Sequence, residues 1–310
     1  MSILRIENNS RLSAILVVSL GLVAVSTGGI LVRFSEEAPA LAIAAYRMVF
    51  ATFLLTPFYL SVRRHASRGG SWTWKHGLSG LALALHFAFW VSSLQFTSVA
   101  VSVLLVNTSP AFVAVGSRFL LGERLTWKGV GGLVAVLGGS LLLGLSDLRE
   151  IGDWRGAGLA LAGAVALGAY LMVGRRIRQD SNLIEYVYPT YAVAALALVG
   201  ATLVSGRRFT GFGIETYFFL LLLGLIPQVI GHTSYNWALR LLPATSVSTL
   251  IVGEPILAGV LAWWLLGEGL YPALAPGAVL VLGGIILVNL GGIRPAPSPD
   301  RSATEARLDG

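Results

Sequence analysis

Arg47 and Glu254 are charged residues set inside long apolar stretches of a 310-residue chain. Charged groups at membrane depth are costly, so each is a functional candidate. The Arg47 guanidinium could grip a carboxylate through two parallel N–H donors. It could equally pair with an intramembrane acid or cap a broken helix. Glu254 directly precedes Pro255. Its carboxyl could exchange a proton during a reaction cycle, or it could pair with Arg47 or satisfy amides freed beside the proline.

Other polar residues join them at helical spacing. His86 and Trp90 stand at i, i+4 on one face, which suits an apolar pocket with a few polar anchors. A lone histidine in an apolar helix can also be a plain packing residue. Gln228, His232, Tyr235 and Asn236 fall at i, i+4, i+7 and i+8. Such a stripe must turn from lipid toward a cavity or a neighbouring helix. Tyr46, Asn107 and Tyr170 complete the candidate cavity set, and the last two suit interhelical hydrogen bonds just as well.

This inventory fits binding better than catalysis. Two distant histidines and one central acid do not make a nucleophile–base pair or a carboxylate–metal cluster. The chain has no cysteine, which removes disulfides, zinc–thiolate sites and thiol chemistry. It has no G-x-x-x-x-G-K-[ST] motif, so it is not its own ATPase. We expect no catalytic residue, metal or cofactor. The expected partners are a small-molecule substrate and the lipid bilayer. An intramembrane enzyme and a channel are the competing classes, the latter wanting rings of carbonyls or charges.

The elements that position these residues follow from composition. Hydrophobic residues make up 55% of the chain and charged residues 12%, against about a quarter charged in soluble domains. The mean hydropathy is +0.77. The first apolar run, Leu12 to Val32, exceeds the ~7–15 residues of a signal-peptide core and reads as a retained span. Apolar runs of about 20 residues predict ten transmembrane helices, near 12–33, 39–61, 76–96, 98–120, 127–146, 156–174, 183–204, 216–238, 245–266 and 271–292. His86 and Gln95 interrupt the third, and Gln228 and His232 the eighth. The expected fold is all-α integral membrane.

The net charge of +7 is scattered in short groups such as Arg63-Arg64 and Arg175-Arg176, not gathered into a nucleic-acid stripe. With the N-terminus in the cytoplasm, sixteen Lys and Arg fall inside and five outside. The positive-inside rule then puts both termini of this multi-pass chain in the cytoplasm, in a bacterial-type cytoplasmic (inner) membrane. The tail over 293–310 is rich in Pro, Ser and charge and is expected to be disordered.

The chain also matches itself. The stretch from Pro110 and the stretch from Pro255 align without gaps over 33 residues with fourteen identities. Leu121-Gly122-Glu123 meets Leu266-Gly267-Glu268, and Gly138-Gly139 meets Gly283-Gly284. The offset covers five predicted crossings, so the copies face opposite ways. Arg124 and Lys128 agree with this, since Gly269 and Ala273 replace them in the second copy. Two inverted five-helix halves suit alternating access to a midplane site. The domain reading is a tail over 1–11, repeats over 12–146 and 156–292, and a tail over 293–310. Glu123 and Glu268 are expected to close short turns at helix ends. The Gly-Gly pairs allow close packing within or between protomers, leaving monomer and homodimer both open.

The paired P…LLGE…GG segments, the Tyr46-Arg47 pair and the GHTSYNWAL stretch from Gly231 resemble the EamA family of the drug/metabolite transporter superfamily. That resemblance covers nearly the whole chain as two repeats. It implies ten helices, a central cavity and, for many bacterial members, export of amino acids or other small metabolites. Export of cationic drugs or other metabolites is the alternative within the family.

Overall fold

The computed structural model describes residues 2–65, 72–97, 99–144, 153–266 and 272–294. Glu268, Arg68, Arg149 and the tail beyond Arg294 lie outside the described residues.

Helices dominate the chain. In the first half α1 spans Ser2–Ser26, α2 Gly28–Arg33, α3 Ala40–His65, α4 Trp74–Ser93, α5 Val99–Val106, α6 Ser109–Leu120 and α7 Trp127–Gly144. In the second half α8 spans Trp154–Arg178, α9 Leu183–Val204, α10 Ile214–Leu223, α11 Thr233–Ala238, α12 Ala244–Ile251, α13 Glu254–Leu266 and α14 Leu274–Asn289. A π-helical segment, Gly224–His232, joins α10 to α11. Among the described residues, seven helical stretches are long and apolar enough to cross a membrane, and Trp127–Leu143 and Leu274–Asn289 are shorter apolar helices. The segment α4, expected as a span, falls outside that set because His76, Ser79, His86 and Ser93 dilute its apolar face.

Burial is arranged for lipid. Large tyrosines such as Tyr170, Tyr186 and Tyr191 are fully buried, whereas Leu20, Phe53, Val134 and Leu196 are exposed. In water an apolar periphery of this kind would be an association surface. The chain is a multi-pass membrane protein.

Two features relate the halves to each other. First, α7 and α14 pack antiparallel. A Cβ added at Gly132 would meet the Gly284 carbonyl at 2.8 Å, and one at Gly139 the Gly277 carbonyl at 2.7 Å. The repeat offset pairs Gly132 with Gly277 and Gly139 with Gly284, so each contact is the image of the other. Strands β1 (Arg124–Leu125) and β2 (Ile293–Arg294) extend the pair as an antiparallel ladder. Only one glycine of each expected Gly-Gly pair serves this contact. A Cβ at Gly138 or Gly283 would meet nothing within 4 Å.

Second, both copies break a helix at the same repeat position. The gap between α5 and α6 falls at Asn107-Thr108, and that between α12 and α13 at Val252-Gly253. Pro110 and Pro255 explain both, because each lacks the N–H that would continue the ladder. Irregular backbone at membrane depth is tolerated where protein buries it or it lines a cavity.

Candidate functional site

The two breaks face one small cavity of about 40 Å³. Asn107 and Val106 reach it from the first break, Ile251 and Glu254 from the second. Arg47 enters from α3, His86, Phe87 and Trp90 from α4, and His232 and Tyr235 from the helix running through the π segment. Seven of the residues singled out in the sequence therefore meet here: Arg47, His86, Trp90, Asn107, His232, Tyr235 and Glu254.

Arg47 is 3% exposed. Its Nε donates to Gln228 Oε1 at 2.9 Å, and its guanidinium lies 4.3 Å from the centre of the Phe87 ring. The ring face offers a cation partial compensation for lost water. Arg47 and Glu254 share the cavity, yet no ion pair within 4.0 Å joins them. The Arg47 Nη2, Asn107 Nδ2, Tyr235 hydroxyl and Gln228 Nε2 are buried without a hydrogen-bond partner. Buried polar groups are seldom left unpaired in folded proteins. Here each of the four can donate, and the first three belong to cavity-lining residues.

The histidines differ in their support. His86 Nδ1 lies 3.0 Å from the Gly163 carbonyl oxygen. That oxygen only accepts, so Nδ1 carries the hydrogen. The ring lies parallel to Trp90 at 6.3 Å, which fixes the face that it turns to the cavity. His232 packs against the rings of Phe87 and Tyr235.

Four expected site residues stand elsewhere. Tyr46 turns away from the cavity. It stacks on Phe209 at 4.7 Å and donates to that residue's carbonyl at 3.0 Å, because neighbouring positions on α3 point to different faces. Gln228, Asn236 and Tyr170 stand behind the cavity wall in a polar chain. Tyr170 and the Asn236 side chain are 2.8 Å apart, Asn236 Nδ2 donates to Tyr191 at 3.2 Å, and Tyr191 meets Thr233 at 3.1 Å. The anticipated single stripe is thus split between two faces. The π segment widens the turn through Gly224–His232, so spacing counted at 3.6 residues per turn fails across it.

Phe87, Tyr191 and Thr233 had no sequence signal. Apolar and hydroxyl side chains in an apolar run cannot be told from packing residues until a partner is known. Glu123 differs from its expected role at a turn. It reaches Arg175 Nε at 3.3 Å and the Ala244 N–H at 3.2 Å.

Antiparallel repeat-equivalent helices, paired helix breaks and a buried polar cavity define a helical membrane protein of transporter architecture. The chain belongs to the EamA-like transporter family, whose model matches residues 12–145 and again 154–290. An Archaeoglobus fulgidus protein described as an uncharacterized transporter is 27% identical, with 80% of this chain and 86% of that protein covered. A Streptantibioticus cattleyicolor protein described as a probable terminal-alkyne amino-acid exporter is 28% identical, covering 64% of this chain and 67% of that one. A solved crystal structure superposes with a TM-score of 0.75 at 22% identity, covering 90% of this chain and 97% of the other. At that identity the shared property is the fold.

Proposed function

We propose that this protein is a secondary transporter that exports amino acids or related small organic compounds across the cytoplasmic membrane by alternating access. In this reading it crosses the bilayer ten times in two inverted five-helix halves, with both termini in the cytoplasm. It is a transporter and not an enzyme. The cavity between the helix breaks is the substrate site.

One observation carries the substrate class. Unpartnered donors of Arg47, Asn107 and Tyr235 share a small cavity with the carboxyl of Glu254. Donors of this kind suit a carboxylate, and an acid suits an ammonium group. An amino acid carries both. The antiparallel packing of α7 on α14 supports the inverted halves, and the Streptantibioticus relative supports the amino-acid class. At about 40 Å³ the cavity must widen to admit substrate, as a cycle with open and closed states requires. Glu254 is also placed to exchange a proton with the substrate path, which would couple export to a proton gradient.

A cationic cargo is the second reading, favoured by Glu254 sharing the cavity with the rings of Phe87 and Trp90. Counterflow in liposomes tests both. Unlabelled amino acid on the far side should accelerate efflux of labelled amino acid. Stimulation by organic cations alone would favour the second reading, and steady ion current without counter-substrate stimulation would overturn transport itself.

A further inference from the structure

Two carboxylates of the first repeat each reach into the second repeat, at opposite ends of one helix. The helical stretch Ile214–Ala238 has 25 residues, about 37 Å at the usual rise. At its start Glu37 accepts from the Gly213 N–H at 2.7 Å and from the Thr216 hydroxyl at 2.8 Å. Arg208 Nη2 completes this latch at 3.0 Å. Beyond its far end, the Leu239 carbonyl accepts from Arg175 Nη1 at 2.7 Å. The same arginine holds Glu123, which also accepts from the Ala244 N–H that opens α12.

The two latches share one plan. An acid from the first half sits on backbone N–H at a helix start in the second half, where the peptide dipoles favour negative charge. An arginine of the second half closes each. Between them the helix passes through the π segment at Gly224–His232, which contains Pro227 and carries His232 to the cavity. Proline gives no backbone donor, and π turns inside α-helices are recurrent points of altered register and bending. The two ends of this helix are therefore pinned independently around a joint at cavity depth.

We propose that Glu37–Arg208 and Glu123–Arg175 are the two gates of the transport cycle, opened one at a time by flexing of the Ile214–Ala238 helix at its π segment. This rests on the alternating-access reading above. With both latches formed the cavity is small. Releasing the Glu123 latch removes its hold on Arg175 and on the start of α12 on that face, and releasing the Glu37 latch removes the tie to the start of α10 on the other. The arrangement makes Glu37, Arg208, Glu123 and Arg175 positioning residues that never touch substrate.

The absence of native cysteine makes a direct test possible. Val103→Cys or Ile251→Cys puts a reporter thiol in the cavity wall. A membrane-impermeant maleimide is then applied to right-side-out and to inverted vesicles. Glu123→Gln should speed labelling roughly tenfold from the Glu123 face alone, and Glu37→Gln or Arg208→Ala roughly tenfold from the Glu37 face alone, each a shift of about one decade in a two-state equilibrium. Glu123→Asp, which keeps a carboxylate, should label closer to the unmodified rate than Glu123→Gln. Unchanged labelling, or equal acceleration from both faces, would overturn the gates. Should Glu123→Gln not fold, the exposed Arg208→Ala decides the question for the other face. The labelling needs no substrate. Side-specific acceleration without amino-acid counterflow would therefore overturn the substrate reading and leave the gates standing.

Discussion

Arg47 Nε donates to Gln228 Oε1 at 2.9 Å, which ties α3 of the first repeat to the π segment of the second. With that bond made, Nη2 is still without a partner, and the guanidinium lies 4.3 Å from the centre of the Phe87 ring. A charge that is buried, oriented and yet incompletely satisfied stabilises a complex better than it stabilises the empty protein.

Arg47→Ala should lower transport of carboxylated substrates at least about 100-fold while the protein stays folded in detergent. Arg47→Lys should fail to restore it, since an ammonium cannot reproduce the planar fork. Arg47→Met should abolish transport and also raise thermal stability by about 1 kcal/mol or more, because replacing a buried charge by an apolar side chain is often stabilising. Counterflow and thermal shift on the same preparations check this, and unchanged substrate affinity in Arg47→Ala would remove Arg47 from the site.

Glu254→Gln should retain the fold and lose substrates with an ammonium group. If Glu254 also couples transport to protons, the wild-type rate should depend on the imposed pH gradient and the variant's rate should not. Equal insensitivity to pH in both proteins rules out coupling through Glu254.

The antiparallel contact between α7 and α14 predicts a sharp asymmetry within each Gly-Gly pair. Gly139→Leu should destabilise by about 1–3 kcal/mol or more through overpacking against α14. Gly138→Ala, where an added Cβ meets nothing within 4 Å, should stay within about 0.5 kcal/mol of the parent. Thermal denaturation in one detergent measures both, and equal losses would contradict the packing described.

Acid should weaken the Glu37 latch. The Gly213 N–H, then the Thr216 hydroxyl and Arg208, hold the Glu37 carboxyl below its ordinary value. A group with a depressed folded value contributes stability above its unfolded pKa and loses it as pH falls through the folded value. Closure of the Glu37 latch is therefore lost as pH falls below the ordinary carboxylate pKa of about 4.3. Between about pH 7 and about pH 3, labelling of the cavity thiol from the Glu37 face should rise in the parent relative to Glu37→Gln, which has no carboxyl to titrate. Taking the ratio of the two proteins cancels the titration of the thiol itself. A ratio that falls with acid would contradict the assignment.

Much of this protein was legible in the linear order of its residues. Long apolar runs have to be helices in a bilayer, because no water is present to satisfy a free backbone. The Pro, Gly-Glu and Gly-Gly punctuation repeated from Pro110 to Pro255 marked both halves, and Arg47 and Glu254 stood out because charge among leucines is costly. Tertiary structure decided what those residues touch. Glu123 was visible as part of a repeat motif, but its partners Arg175 and Ala244 lie far along the chain. Tyr46 and Arg47 are adjacent in sequence and serve different faces. The stripe from Gln228 to Asn236 follows an α-helical period, and the π segment divides it between the cavity and the Tyr170–Tyr191 network. Hydrophobic patterning acts locally and can be counted from neighbours. Hydrogen-bond partners and helix register depend on which distant surfaces meet, and packing alone settles that.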